Sequence, residues 1–335
     1  MLPPFTSASH DGDLGCFVRN IILNSIFQKG QFIIPDIASQ TGFSVTTIAK
    51  YVSELYAEDI LEKGDCLKTN KRGRNPVLYR VKSGTYYFLG VDLKPFELII
   101  GLMNLTGDMV CIERITDFRF ENTHNKLDEI CTHISQFMLK FQSQNASKIA
   151  GVNFNIGVPL TLLLNERLGI PVFIENDTKA MAYGEYVSEN NASQENVIYV
   201  NIGWGLGLCI IINGEIYYGK DGYSGEFGHI HMYENNVMCH CGKKGCIETE
   251  ISGSAVCRKL VERIYNHEAS VLSKKVWNGN MITIEDIIEA AKLEDPLCIE
   301  LVTQAGGELG HQLAGLINLL NPDRIIIGGR MSEIA

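Results

Sequence analysis

No uninterrupted apolar run in this 335-residue sequence reaches the length of a bilayer span. The first residues, MLPPFTSASHDGDLG, have neither the basic start nor the apolar core of a signal peptide. The expectation is therefore a protein that neither crosses a membrane by helices nor carries a secretory leader. The cysteine spacing of a small disulfide framework is also missing. Most of the ten cysteines are single residues in apolar segments, such as Cys111, Cys131, Cys209 and Cys298, where reduced core thiols are expected. A reducing cytoplasm is the compartment this suggests. Acidic residues are absent between Lys68 and Lys82, a stretch holding six basic ones.

That last absence exposes an asymmetry beneath the net charge of -10. Residues 1–82 carry ten Lys/Arg against eight Asp/Glu, and the remainder carries 19 against 31. A basic head on an acidic body points to a polyanionic partner for the head alone. At 45% hydrophobic and 20% charged the composition is that of an ordinary soluble protein. Its length exceeds what one core usually supports, so two or three domains are expected.

In the head, Phe17, Ile21, Ile22 and Ile26 recur at helical spacing, which predicts an amphipathic helix over residues 14–28. After Gly30 come a short helix (35–41), a turn at Gly42-Phe43-Ser44, and a longer helix (45–57). Pro35 suits a first helical position, Gly42 a helix end and Ser44 an N-cap. Ile37, Ala38, Val45, Ile48, Val52 and Leu55 form the expected shared core. Two helices across a tight glycine turn match the helix-turn-helix pattern, whose second helix enters the major groove with its N-terminal residues leading. Here those are Ser44, Thr46, Thr47 and Lys50, with Tyr51 nearby. Two strand-like runs follow, around a tip of Lys71, Arg72, Gly73 and Arg74. This is a wing whose arginines could reach phosphates or the minor groove. The alternative is a small helical interaction module with a solvated basic loop.

Ser83-Gly84-Thr85 reads as a linker to the body. YYFLGVDL and ELIIGLMNLTGDMVCIERI predict three strands joined by turns, then a helix over 125–142 and a strand over 149–156. About a hundred residues on, VIYVNIG and LGLCIIINGEIYYG repeat the three-strand pattern, with a turn at Asn213-Gly214. Helices are predicted over 251–267, 284–293 and 296–319, and a last strand over 324–327. Two similar lobes with a ligand cleft between them are the expectation. The boundaries are 1–82 for the head and 83–335 for the body, with lobes of about 83–185 and 186–335.

The densest chemistry lies in EFGHIHMYENNVMCHCGKKGCIETEISGS, residues 226–254. Cys239, Cys241 and Cys246 fall within eight residues, and His229 precedes the first by ten. One imidazole and three thiolates are the set a closed tetrahedral zinc site requires. Gly242 and Gly245 relieve backbone crowding where the chain must fold around one ion. His231 and His240 are alternative donors. Glu226 and Glu248 flank the cluster.

These residues resemble the ROK family of bacterial repressors, open reading frames and sugar kinases. The hallmark is E-x-G-H, a spacer, C-x-C-G-x-x-G-C-x-E and S-G. It stands here as Glu226-Phe227-Gly228-His229, residues 239–248, and Ser252-Gly253. Glu175-Asn176-Asp177 before Ala180, and the stretch from Asn318 to Gly329, match further family segments. A helix-turn-helix head on this body resembles the NagC/XylR-like regulator branch. The resemblance implies a multidomain α/β fold: an N-terminal winged helix-turn-helix plus a two-lobed, actin-like or sugar-kinase-like (ribonuclease H-like) ATPase fold. It implies structural Zn2+ on His229, Cys239, Cys241 and Cys246, and sugar hydroxyls held by Asn176, Asp177, Glu226, His229 and Glu248. It also implies double-stranded operator DNA as partner, a monosaccharide or sugar-phosphate effector, and a homodimer or homotetramer.

Two departures argue against catalysis, leaving Asp177 as a vestigial base. The family's kinases carry an Asp-x-Gly-Gly-Thr-like first phosphate loop, but here Asp92-Leu93-Lys94-Pro95-Phe96-Glu97 lacks glycines. Proline removes a donor there and Glu97 repels phosphate, although Lys94 could serve as a phosphate ligand. In the second loop, Gly203-Trp204-Gly205-Leu206-Gly207, a large ring replaces a small hydroxyl. The family also usually has a longer, sugar-lining loop after the strand ending at Ile156-Gly157. The alternative function is an active sugar kinase with an accessory head.

Overall fold

A computed structural model describes residues 14–66, 76–94, 97–119, 124–142, 148–154, 161–188 and 195–334. The chain divides into two compact units, Met1–Asp177 and Thr178–Ala335.

The first unit opens with α1 (Leu14–Lys29), β1 (Gln31–Phe32), α2 (Ile34–Thr41), α3 (Val45–Ala57), β2 (Leu61–Cys66) and β3 (Val77–Val81). The three strands form a small sheet in the order β1-β3-β2. Helix α2 ends because Gly42 adopts a left-handed conformation, φ 74°, from which its N–H reaches the Ala38 carbonyl. Helix α3 starts because the Ser44 hydroxyl accepts the Thr47 N–H. Both helices of the predicted pair therefore have local causes.

The core of this head corrects two expectations. The buried face of α1 is Val18, Ile22, Leu23 and Ile26, whereas Phe17 is 56% exposed and meets Phe43 edge-on. Val45 is 53% exposed instead of belonging to the core. It is the first residue of α3, and Cα–Cβ bonds tilt toward the helix N-terminus, so its side chain projects past the packed turns.

Next come β4 (Tyr86–Lys94), β5 (Glu97–Asn104), β6 (Met109–Ile115), α4 (His124–Gln142), β7 (Lys148–Phe154), α5 (Thr161–Leu168) and β8 (Val172–Ile174). The sheet order is β6-β5-β4-β7-β8, with β4 antiparallel to β5 and parallel to β7. Alternation along β4 gives the sheet two apolar faces. Tyr87, Leu89 and Val91 join Leu127, Ile130, Ile134, Phe137 and Phe141 of α4 in one core. Tyr86 and Phe88 point the other way and pack on the head, whose core also includes Leu105, 1% exposed, just beyond β5.

Residues 83–85, expected as a linker, form a turn. It is bracketed by Lys82 donating to Asp59 at 2.8 Å, its N–H donating to the Ile60 carbonyl, and the Tyr86 hydroxyl donating to the Glu58 carbonyl at 3.3 Å. A head of this size buries too little by itself, and it borrows apolar surface from the sheet.

The second unit contains α6 (Asp177–Ser188, from its second residue), β9 (Val197–Ile202), β10 (Leu206–Ile212), β11 (Glu215–Ile216), α7 (Glu248–Ile251), α8 (Gly253–Tyr265), α9 (Ser273–Trp277), α10 (Ile284–Lys292), α11 (Pro296–Leu320) and β12 (Arg324–Gly328). Its sheet runs β11-β10-β9-β12, again an antiparallel meander whose first strand pairs with a parallel one. The predicted duplication is thus a repeated strand order. Asn213 and Gly214 both have positive φ, as the predicted tight turn between β10 and β11 requires. Ile198, Val200, Leu206 and Leu208 face α8, α10 and α11, while Val197, Tyr199, Cys209 and Ile211 face Ala182 and Tyr186 of α6. Helix α9 went unpredicted, being five residues long. Among the described residues no helix is long and apolar enough to cross a membrane.

Leu105 lies outside the head in sequence but inside its core. Leu105→Ala is expected to destabilise the head by about 2–5 kcal/mol through the cavity it leaves. Hydrogen exchange would show this as lost protection over α2 and α3; unchanged protection there would refute the shared core.

Candidate metal centre and its surroundings

Residues 226–248 form an irregular loop that folds back on itself. A single 3-10 turn, Phe227–His229, presents His229. Isolated bridges pair His231 with Cys246 and Met238 with Lys244. The Cys239 N–H donates to the Lys243 carbonyl at 2.8 Å, closing the knuckle that carries Cys239 and Cys241. Gly245 has φ 71°, and a Cβ there would stand 2.0 Å from the Tyr233 carbonyl oxygen, so the crowding expected at this position is present. Gly242 also has positive φ, 85°, but open space around it.

The ligand atoms of His229, Cys239, Cys241 and Cys246 all lie within 4.8 Å of one another. His229 Nδ1 is 3.5 Å from Cys239 Sγ, and Cys241 Sγ is 3.6 Å from Cys246 Sγ. Tetrahedral thiolates about 2.3 Å from one zinc ion stand roughly 3.8 Å apart, so both the donor set and its spacing fit a metal ion. The other ring nitrogen of His229, Nε2, faces Glu226 Oε2 at 3.8 Å. Of the alternative donors, His231 Nδ1 is taken up by the Lys244 carbonyl at 2.9 Å. His240 Nε2 lies 3.1 Å from Glu248 Oε1, in a second possible group with Cys239.

Burial pushes the Cys239 thiol up to about 12 and raises Cys246 as well. The exposed Cys241 is lowered, chiefly by a hydrogen bond from the Lys243 backbone. In the metal-free fold the Cys239 and Cys246 sulfurs therefore hold protons at neutral pH, and metal ligation must expel them.

Glu248 is buried, 5% exposed. Its Oε2 accepts the Leu206 N–H at 2.9 Å. Two of the three glycines of the loop 203–207 have a packing cause here. A Cβ at Gly205 would stand 2.8 Å from Glu248 Oε2, and one at Gly207 would stand 2.1 Å from the Thr178 hydroxyl. Lys94, the candidate phosphate ligand, is held by Glu97 at 3.4 Å and Asp92 at 3.7 Å.

Asn176 and Asp177 close the first unit, and Asp177 opens α6, where a carboxylate suits the helix dipole. Asn176 is exposed, and its N–H donates to the Glu175 side chain. Glu226, His229 and Glu248 belong to the second unit. In the head, the Ser44 hydroxyl caps α3 and meets the hydroxyls of Thr46 at 2.7 Å and Thr47 at 2.8 Å. The Lys50 side chain is 60% exposed and lies 5.1 Å from the Tyr51 ring centroid. Exposed Val45 joins Ser44 and Thr46 at the leading end of α3; sequence reading missed it because its apolar character matched the helix's buried stripe. Lys71, Arg72 and Arg74 lie outside the described residues, as does the Gly157 loop.

Residues 115–335 match the model of the ROK family. The chain is 27% identical to the xylose repressor of Caldicellulosiruptor bescii, over 93% of this chain and 82% of that one. Among solved structures it is similar to a ROK family transcriptional regulator, a homologue of the E. coli MLC protein, at 26% identity and a TM-score of 0.77. That likeness covers 95% of this chain and 85% of the other. A ROK family glucokinase from Streptomyces griseus, solved with glucose and AMPPNP, is also 26% identical, with a TM-score of 0.63. It matches only 74% of this chain and 84% of its own.

Zinc affinity is expected to fall more steeply than about tenfold per pH unit between pH 8 and 6, because more than one proton competes with the metal. Chelator competition across that range measures it; a pH-independent affinity would refute thiolate ligation.

Proposed function

The chain belongs to the ROK family, and we propose that it is a sugar-responsive transcriptional regulator, a repressor of carbohydrate-utilisation genes. One observation carries this reading. The regulator likeness extends over 95% of the chain, head included, whereas the kinase likeness stops at 74%.

In this reading residues 1–82 are a winged helix-turn-helix that binds operator DNA, and residues 83–335 are the effector-binding body. The leading end of α3 enters the major groove. Thr46 and Lys50 offer a hydroxyl and an ammonium to base edges and phosphates, and Val45 offers an apolar contact for a thymine methyl. Lys71, Arg72 and Arg74 of the wing add phosphate or minor-groove contacts. The operator is palindromic and the protein a homodimer or homotetramer, acting in the cytoplasm.

The effector is a monosaccharide or sugar phosphate, held by Asn176, Asp177, Glu226, His229 and Glu248. Carboxylates accept from vicinal hydroxyls, and a histidine whose other nitrogen is fixed can donate to one. His229, Cys239, Cys241 and Cys246 hold structural Zn2+, which when bound supplies a rigid crosslink and no open coordination position. Effector binding changes operator affinity only as far as it favours one arrangement of the protein over another. Asp177 is a vestigial base, because both phosphate loops lack what ATP requires.

Fluorescence anisotropy with operator DNA should show binding that weakens steeply with salt, and Lys50→Ala should reduce the salt slope by about one. A thermal-shift screen of monosaccharides and their phosphates should find a ligand that stabilises by about 2.7 kcal/mol at a hundredfold excess over Kd. No stabilising sugar would refute the effector reading. Sugar-dependent ATP turnover lost in Asp177→Ala would establish the kinase alternative instead.

A further inference from the structure

We propose that Glu248 is a positioning residue that ties the cysteine loop to the glycine loop 203–207, so that metal occupancy sets the placement of Trp204. This rests on the reading of the four donors as a metal site, and it is separate from the sugar contact expected of Glu248 by family resemblance.

Glu248 follows Cys246 by two residues and opens α7. Its side chain is 7% exposed, and each carboxylate oxygen turns to a different loop. Oε2 accepts the N–H of Leu206, the first residue of β10. Oε1 lies 3.1 Å from His240 Nε2 and 3.5 Å from Cys239 Sγ. A buried carboxylate is costly to leave without partners, so movement of either loop alone is opposed by the group they share. The fit at Gly205 is equally specific, since a Cβ there would meet Oε2 at 2.8 Å.

The glycine loop is anchored at its other side by main-chain bonds. The Gly253 N–H donates to the Gly203 carbonyl at 2.9 Å, and the Ser254 N–H donates to the Trp204 carbonyl at 3.1 Å. Trp204 therefore sits between the Glu248 tether and the start of α8. Its ring, 44% exposed, lines a groove of about 410 Å³ with Cys257, Arg258, Val261, Met281 and Ile282. Metal ligation of Cys239 and Cys241 fixes the knuckle that carries His240, the ring partner of Glu248 Oε1, and the shared carboxylate passes that restraint to the wall of this groove.

The test uses the full chain carrying Trp277→Phe, which leaves Trp204 as its single tryptophan. Zn2+ is titrated into chelator-stripped protein while Trp204 emission and bound zinc are both measured. The expected result is an emission shift that follows zinc uptake. Glu248→Ala should take up zinc with loss of the shift. Glu248→Gln, which retains an acceptor for the Leu206 N–H, should restore it. Gly205→Ala, which displaces an intact carboxylate, should lose it as Glu248→Ala does. If Glu248→Ala fails to fold, Glu248→Gln and Gly205→Ala decide the outcome. A shift undiminished in Gly205→Ala, or silent emission in parent protein that has bound zinc, overturns the tether. Parent protein that binds no zinc overturns the metal reading itself, and the tether with it, a result the uptake measurement distinguishes from silent emission.

Discussion

The cysteine loop lies directly on the backbone of β10, and the architecture of the second unit's candidate site depends on that close approach. A Cβ at Gly225 would stand 2.0 Å from the Leu208 carbonyl oxygen, and one at Gly228 would stand 2.3 Å from that of Leu206. Those clearances leave no room for any other residue at either position. They bring the turn bearing Glu226 and His229 onto the strand, and the same strand receives Glu248 through the Leu206 N–H. The four candidate metal donors thus converge beside the backbone of β10. Without it, a 23-residue irregular loop would have little apolar burial with which to order itself.

A comparable dependence holds in the first unit. The head is continuous with the sheet behind it, since Leu105, Tyr86 and Phe88 contribute to its core. The helices proposed to meet DNA share a core with that sheet, and residues 83–85 form a bonded turn. A regulator needs a physical route between effector and operator, and shared packing is a stiffer route than a linker.

Local chemistry was legible in the sequence. Ser44 as an N-cap, Gly42 as a helix end, the Asn213-Gly214 turn and the alternation along β4 all follow from interactions between residues close in the chain. The four donors were legible as well, because a thiolate-rich spacing admits few other uses. The errors fell where burial depends on distant partners. Val45 and Phe17 have the composition of a core and stand at its edge. The close packing of Gly205 on Glu248 and of Gly207 on Thr178 likewise depends on distant partners that no short spacing reveals.

Residue types and their short spacings are enough to name the atoms that could bind a metal, to place helix ends, and to set a basic head before an acidic body. Three-dimensional packing was needed to reveal that the head's core reaches Leu105. It alone decided that Glu248 is buried between two loops, and that His229 turns one nitrogen toward Cys239 and the other toward Glu226. The Leu105 and Glu248 contacts join residues tens of positions apart, and even the nearer ones of His229 take their geometry from how sheets and loops stack rather than from the residues' own preferences.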